Sequence, residues 1–206
     1  AFRAGTAICV CDGSYDRKRA PTTSGAGLVI CCTRTQNMLR AQFFETSPSA
    51  SAYRGELLGL VAVHTFAKAA ATFFHLDSAR GKVCCDNNGA LGQSAKIRRR
   101  VRTGAKQTDL LRALRTLKLD RALRFTYEEV EGHADRYKLW HQLTLEEQLN
   151  VDCDKLAKRG VWRSMQPGGL AVRGQQLLPL EKAAVFINGS KLTTDVAKEV
   201  RFCLGE

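Results

Sequence analysis

The stretch Ile8-Cys-Val-Cys-Asp-Gly-Ser-Tyr15 carries four apolar residues that end on an aspartate, with a glycine and a serine directly behind it. An apolar run of this kind predicts a buried strand, and Asp-Gly is a common turn signal, so we expect the strand to end at Asp12. The same pattern recurs in Val83-Cys-Cys-Asp86. If the two strands are neighbours in one sheet, the carboxylates of Asp12 and Asp86 project from the same edge.

The rest of the chain predicts a meander of strands followed by alternating helices and strands. Three strands joined by non-helical connections favour antiparallel pairing, and the later segments alternate between helical and strand-like periodicity. The predicted strands cover residues 6–12, 25–34, 38–45, 81–86 and 124–131, and the predicted helices cover 53–74, 87 to about 99, 109–119 and 145–162. This order indicates an α/β fold in which helices cover a mixed sheet.

The composition changes after residue 163, where a segment rich in glycine contains Pro167. We therefore predict one domain over 1–163, followed by a linker and C-terminal extension over 164–206. Within the extension, Asn188-Gly189 is a strong hairpin signal, and a short helix is expected from Thr194.

Net charge and cysteine usage narrow the functional classes. The chain has 206 residues and a formal net charge of +12, which favours a polyanionic partner and above all nucleic acid; an anionic surface is the alternative. No apolar run approaches the length of a membrane span, so no membrane partner is expected. The eight cysteines lie mostly in apolar runs without C-x-x-C spacing, which predicts an intracellular location, cytoplasmic or nuclear.

Two further acidic residues join Asp12 and Asp86 as candidates. Glu56 lies near the start of the first long helix on an otherwise apolar face, and Asp154 lies on the last predicted helix. Each acid taken alone is also explained as a turn or cap residue. Four converging carboxylates would repel each other unless cations neutralise them, and oxygen-only ligation suits Mg²⁺, with Mn²⁺ as the alternative ion.

These residues together resemble type 1 ribonuclease H, and most of all the domains attached to reverse transcriptases of retroelements. The resemblance covers residues 5–162 and rests on an ordered set: Asp12-Gly-Ser14, Gly25-Ala-Gly27, Glu56, Asp86, Gly132-His133 and Asn150-x-x-Cys-Asp154-x-Leu-Ala157. It implies a ribonuclease H-like fold with a five-stranded mixed sheet, the first three strands antiparallel, and helices on both faces. It also implies endonucleolytic hydrolysis of the RNA strand of an RNA/DNA hybrid with two divalent ions.

The resemblance assigns a role to each acidic residue. Asp12 would bridge both ions, Glu56 and Asp86 would complete the side that holds the attacking water, and Asp154 would bind the other ion. His133 would assist proton transfer or product release, although an ordinary loop histidine is the alternative. A long insertion before Asn150 leaves Asp152 and Asp135 as competitors of Asp154, and the choice of Asp154 depends on the motif match.

Substrate contacts are predicted at two places. The ribose 2′-hydroxyl, which distinguishes RNA from DNA, would be sensed near Gly13, Ser14 and Asn88. The basic segment from Arg98 to Lys106, with Arg98, Arg99 and Arg100 at its start, would grip the DNA strand, although a solvated loop is an equal reading.

Two other functions stay open at this point. One is a related nuclease or transposase of the same fold that acts on DNA. The other is a scaffold that kept the fold, lost catalysis and binds nucleic acid through its basic surface; the presence of all four acids argues against it. A covalently linked reverse transcriptase domain is an expected partner, and the oligomeric state is left open.

Overall fold

The computed structural model describes residues 1–95, 101, 105–167, 172–173, 186–187, 190–191 and 193. Its strands are β1 (Ala7–Tyr15), β2 (Thr23–Cys32), β3 (Met38–Thr46), β4 (Ala79–Cys85), β5 (Leu123–Glu129), β6 (Val172–Arg173), β7 (Phe186–Ile187) and β8 (Ser190–Lys191). Its α-helices are α1 (Ala52–Phe73), α2 (Asn88–Ala95), α3 (Thr108–Lys118) and α4 (Leu145–Ser164). In the described part of the first 164 residues, the predicted order of five strands and four helices is confirmed, with bounds that shift by a few residues. The predicted end of the second helix near residue 99 lies outside the described residues.

The main sheet is mixed and has the strand order β5-β4-β1-β2-β3-β6. The pairs β1–β2 and β2–β3 are antiparallel, as the meander predicts. The pairs β1–β4 and β4–β5 are parallel: α1 leads the chain from β3 back to β4, and α2 and α3 form the crossover from β4 to β5. The predicted five-stranded sheet is thus confirmed, and the short β6 adds a sixth strand by pairing in parallel with the end of β3.

Helices cover both faces of the sheet. Side chains alternate along β1, so that Cys9 and Cys11 join a core with α1 and α3, whereas Ile8 and Val10 join a second core with α4. The cysteines take part as small apolar residues, and Cys9, Cys11, Cys84 and Cys85 are fully buried. β1 is therefore a central strand of a sheet that is covered by helices on both faces.

Helix α1 is the core helix that carries Glu56. It begins at Ser51, whose side chain accepts a hydrogen bond from the backbone N–H of Arg54. By length and composition α1 could cross a membrane, contrary to the sequence-based expectation that no segment reaches that length. In this fold the most apolar stretch of α1 is 56% buried, because the helix packs on the sheet. Core helices of soluble proteins can have the same length and composition.

Described residues of the C-terminal extension contact the domain through β6 and through Thr193. Strand β6 pairs with β3, while β7 and β8 form an antiparallel pair whose register leaves two residues between them. Those two residues, Asn188-Gly189, and the predicted helix from Thr194 lie outside the described residues. The backbone carbonyl of Thr193 accepts a hydrogen bond from the N–H of Thr108 at the start of α3 (2.8 Å). The predicted division at residue 163 stays a prediction.

Candidate active site

Asp12 and Asp86 lie side by side at one end of the central strands. In the parallel pair of β1 and β4, Val10 lies opposite Cys84. If this register is continued by two residues on each strand, Asp12 lies level with Asp86. The predicted end of β1 at Asp12 is wrong, because β1 continues to Tyr15 through its antiparallel pairing with β2. Asp12 is therefore a residue of a central strand, 4% exposed, rather than the first residue of a loop.

Glu56 reaches this place because α1 crosses β1 at two glycines. A side chain at Gly13 would collide with the backbone N–H of Glu56, and one at Gly55 would lie 2.5 Å from the carbonyl oxygen of Gly25. Only glycines allow the helix and strand backbones to approach this closely. The close contact holds Glu56 directly beside Asp12.

Three side chains at this end of the sheet form a compact group. Ligand atoms of Glu56, Cys85 and Asp86 all lie within 4.8 Å of one another. The thiol of Cys85 donates a hydrogen bond to Oε2 of Glu56 at 3.4 Å. Among the described residues, these are the ones whose donor atoms are spaced to share a single metal ion.

The carboxyl groups raise each other's pKa. Burial raises the pKa of Glu56 to about 11, and the charges of Cys85, Asp12 and Asp86 act in the same direction. Burial and the charge of Asp86 raise the pKa of Asp12 to about 7, although a hydrogen bond with Glu56 opposes the shift. Burial also raises the pKa of Asp86. A bound cation would offset both the cost of burying these negative charges and their mutual repulsion.

Asp154 approaches the group from α4, on the other face of the sheet. The backbone of α4 at Cys153 lies directly over Gly27 of β2, so the helix packs against the strand without an intervening side chain. Burial is the main cause of the raised pKa of both Asp12 and Asp86, and the negative charge of Asp154 adds a smaller contribution to each. Its own carboxylate pairs with Lys158 one turn later at 2.6 Å.

The two competitors of Asp154 lie elsewhere. Asp152 pairs with Arg40 of β3 at 3.1 Å, and Asp135 is exposed on a short 3₁₀ helix. The structure therefore brings together Asp12, Glu56 and Asp86, with Asp154 close enough to influence two of them electrostatically.

The remaining predicted site residues surround this group or fall outside the described residues. His133 is half-buried, and its charge lowers the pKa of Asp86 against the effect of burial. Gly13 and Ser14 follow Asp12 on β1 and are partly exposed, and Asn88 is exposed at the start of α2. The predicted basic contacts Arg98, Arg99 and Arg100 lie outside the described residues.

The residues of the group fit a divalent cation. Asp12 of β1, Glu56 of α1 and Asp86, directly after β4, supply carboxylate oxygens, which are the donor type that Mg²⁺ and Mn²⁺ take. Asn150 of α4 gives an independent sign: it is 1% exposed, its Nδ2 lies 3.5 Å from Oδ2 of Asp86, and its Oδ1 has no hydrogen-bond partner. A buried acceptor without a donor is costly unless a water or ion reaches it.

Two functional candidates were missed in the sequence. Cys85 was assigned only as a buried apolar residue, and Asn150 only as part of a motif, yet both side chains contact the acids. Strand periodicity could have placed Cys85 on the α1 face. Its distance to Glu56 depends on the crossing of α1 over β1, which the spacing of residues does not define.

Comparisons with known proteins agree with this geometry at the level of fold. No protein-family model and no curated protein sequence matches the chain. Solved structures do match. LC9-RNase H1, a type 1 RNase H with the type 2 active-site motif, is 13% identical with a TM-score of 0.54, and the match covers 95% of this chain and 80% of that one.

Further matches come from foamy virus. The PFV RNase H domain in solution is 15% identical with a TM-score of 0.52, covering 76% of this chain and 94% of that one. The native Prototype Foamy Virus protease-reverse transcriptase is 15% identical with a TM-score of 0.51, covering 76% of this chain and 21% of that one. This chain thus matches about a fifth of that viral polypeptide. The chain has the ribonuclease H fold, and the fold implied by its sequence motifs is confirmed.

Proposed function

We propose that this protein is an endoribonuclease that hydrolyses the RNA strand of RNA/DNA hybrids with two divalent cations. The observation that carries the proposal is the convergence of Asp12, Glu56 and Asp86 at one end of the central strands of a ribonuclease H fold. Buried carboxylates that raise each other's pKa are tolerated in a fold chiefly where cations neutralise them. The net charge of +12 supports a nucleic-acid substrate.

The chain's own residues suggest how the site would work. Asp12, Glu56, Asp86 and Asp154 would hold the cations, which when bound activate water and stabilise the charge on the leaving oxygen. Burial of Asp12 and Glu56 to 4% and 5% exposure excludes bulk water from their side of the site. The N–H of Gly13 already donates to Oδ1 of Asp12 (2.7 Å), which fixes the orientation of this carboxylate.

His133 and the partly exposed end of β1 would contact the substrate. His133 is close enough to Asp86 to stabilise its charge, so a proton on its imidazole could pass to or from a group held at Asp86. The backbone at Gly13 and Ser14 and the side chain of Asn88 are the candidates for reading the ribose 2′-hydroxyl, because they are accessible next to the acids.

The test is a cleavage assay on an RNA/DNA hybrid with and without Mg²⁺. Wild type should cut the RNA strand only with the cation, and Asp12→Asn and Asp86→Asn should each abolish cutting while the folded content by circular dichroism stays unchanged. Asp152→Asn is the matched control, since Asp152 lies on α4 near Asp154 but pairs with Arg40 instead. Full activity in Asp12→Asn would refute the proposed site.

Duplex DNA and duplex RNA in the same assay separate the alternatives. Equal cutting of duplex DNA would favour a DNA-directed nuclease or transposase of the same fold. Binding of a hybrid without cutting, together with no Mg²⁺ or Mn²⁺ binding in a calorimeter, would favour a silent scaffold.

We further propose that the domain acts in the cytoplasm or nucleus as part of a retroelement reverse transcriptase polyprotein. The motif resemblance and the match to a viral protease-reverse transcriptase support this context. Sequencing the transcript that encodes the chain would test it, because a polymerase domain in the same reading frame is expected.

A further inference from the structure

The candidate active site contains a thiol in addition to its carboxylates. Cys85 is the last residue of β4, is fully buried, and directs its Sγ to Oε2 of Glu56 at 3.4 Å. Donor atoms of Cys85, Glu56 and Asp86 lie within 4.8 Å of one another. Ligand atoms of a tetrahedral metal site with bonds of 2.0–2.3 Å are about 3.5 Å apart, so small side-chain rotations would bring all three onto one ion.

Asn150 is a second, independent sign of a ligand beside Asp86. It is 1% exposed, and its amide meets Asp86 through Nδ2 at 3.5 Å, at the limit of a hydrogen bond. Its Oδ1 has no partner. A half-turn of the amide exchanges the two atoms and presents the oxygen to a cation held by Asp86, which satisfies the buried acceptor.

The donor set of this site is mixed, and that decides which cations it can hold. Carboxylate oxygens suit Mg²⁺ and Mn²⁺, whereas a thiolate selects softer ions such as Zn²⁺, Co²⁺ and Cd²⁺. With Mg²⁺, the thiol would remain protonated and keep its hydrogen bond to Glu56. With a softer ion, the S–H bond of Cys85 breaks, the proton leaves to solvent, and the sulfur lone pair forms the bond to the metal.

We propose that Cys85, Glu56 and Asp86 form a binding site for thiophilic divalent cations, and that such ions compete with the catalytic cations and block cleavage. The part that concerns cleavage rests on the proposed function; the binding itself does not. The site would make the enzyme sensitive to Zn²⁺ and Cd²⁺ in a way that an all-oxygen site is not.

Other cysteines have to be separated from Cys85 in the test. Hydrogen bonds from Thr35 and Thr6 lower the pKa of the Cys32 thiol to about 6, so this residue would bind soft metals adventitiously. Cys203 lies outside the described residues. We therefore choose a chain that carries Cys32→Ser and Cys203→Ser as the parent protein.

The first measurement is a Co²⁺ titration of the parent, followed by ultraviolet absorption. We expect a thiolate-to-cobalt charge-transfer band that saturates at one ion per chain. Cys85→Ser and, as a second variant, Cys85→Ala should both lose the band, with folding checked by circular dichroism. Cys84→Ser is the matched control, because Cys84 is the adjacent buried thiol but belongs to the core on the α4 face; it should keep the band.

The second measurement is Zn²⁺ inhibition of hybrid cleavage at saturating Mg²⁺. Loss of a ligand should cost at least as much affinity as loss of an outer-shell partner, so the inhibitory Zn²⁺ concentration of Cys85→Ser, measured against its own Mg²⁺-only activity, should rise by at least about 10- to 100-fold. A parent without the cobalt band, or a band that persists in both Cys85 variants, would overturn the inference. A cobalt band that depends on Cys85 in a protein that cuts no hybrid would support the site and refute the proposed function.

Discussion

Arg54 and Glu56 lie two residues apart on α1, and each belongs to a cluster of charged side chains. The two clusters differ in whether residues of opposite charge lie within them. Arg54 is fully buried and pairs with Glu45 at 2.6 Å and Asp109 at 2.8 Å. Burial lowers the pKa of Arg54, but its hydrogen bonds to Asp109 and Glu45 outweigh burial and raise it. Glu56, by contrast, faces Asp12 and Asp86, and within the described part of the chain none of these three acids forms a salt bridge to a basic side chain.

The contrast separates a structural cluster from a functional one. In the Arg54 cluster, α1 supplies a positive charge between negative charges from β3 and α3, so the buried charges are compensated within the fold and removal of the guanidinium is costly. In the Glu56 cluster, α1 adds the carboxylate of Glu56 to those of Asp12 and Asp86. Such a cluster is stable only as protonated acids or with a cation from outside the chain. Variants of the two clusters should therefore have opposite effects on stability.

The largest effect is expected from Arg54→Ala. Removal of the guanidinium leaves Glu45 and Asp109 buried without their cation, and should lower the free energy of unfolding by about 3–5 kcal/mol. Urea unfolding followed by circular dichroism measures it. Arg40→Ala is the control: its pair with Asp152 has side chains 49% and 29% exposed, so about 0–1 kcal/mol is expected. Equal losses in the two variants would contradict the assignment.

The second largest loss of stability is expected from Gly13→Ala. The added methyl group would push α1, the helix that carries both Arg54 and Glu56, away from β1. The added methyl group collides with the backbone at Glu56, which should cost about 1–3 kcal/mol and weaken Mg²⁺ binding measured by calorimetry. Gly92→Ala is the matched control. Gly92 lies in α2 with open space around it, so alanine should stabilise the protein by up to about 1 kcal/mol. Unchanged Mg²⁺ binding in Gly13→Ala would argue against this packing.

Asp12→Asn should have a smaller effect, and it should raise the free energy of unfolding instead of lowering it. The pKa of Asp12 in the folded protein is about 7, above its ordinary 3.8. The folded state thus holds the proton longer than the unfolded state, and the stability from this group is lost as the pH rises through about 7. Asparagine removes this loss, so at pH 8 in EDTA the variant should be more stable than wild type, as measured by urea unfolding. A steeper pH dependence in the variant than in wild type would refute this explanation.

His133→Asn should have the smallest effect on stability. His133 has a positive φ of 52°, a conformation that asparagine tolerates well, so the free energy of unfolding should change by less than about 0.5 kcal/mol. Asparagine cannot transfer a proton, and single-turnover cleavage of a hybrid should slow by about 100-fold if His133 acts as proposed. If His133→Asn cleaves at the wild-type rate, His133 has no catalytic role and is an ordinary loop residue.

Much of the fold could be predicted because its helices and strands follow from local sequence patterns. Helical periodicity predicted α1 and α4, and the apolar runs predicted β1, β2 and β4, within a few residues of their observed bounds. The ends were less predictable. Asp-Gly in positions 12–13 is a turn signal by itself, but in the sheet β2 pairs with these residues and extends β1 to Tyr15. Pairing across strands overrode the local signal.

For the candidate site, the sequence by itself determined the chemical inventory and the order of the acids: Asp12, Glu56, Asp86 and Asp154, each on an element with a predictable type. Only the tertiary structure decided which of these groups meet. It paired Arg54 with two acids, turned Asp152 toward Arg40, and placed the Cys85 thiol beside Glu56. The reason is physical: helical and strand periods assign a side chain to a face, but contacts between elements depend on where backbones approach, as α1 and β1 do at Gly13 and Gly55.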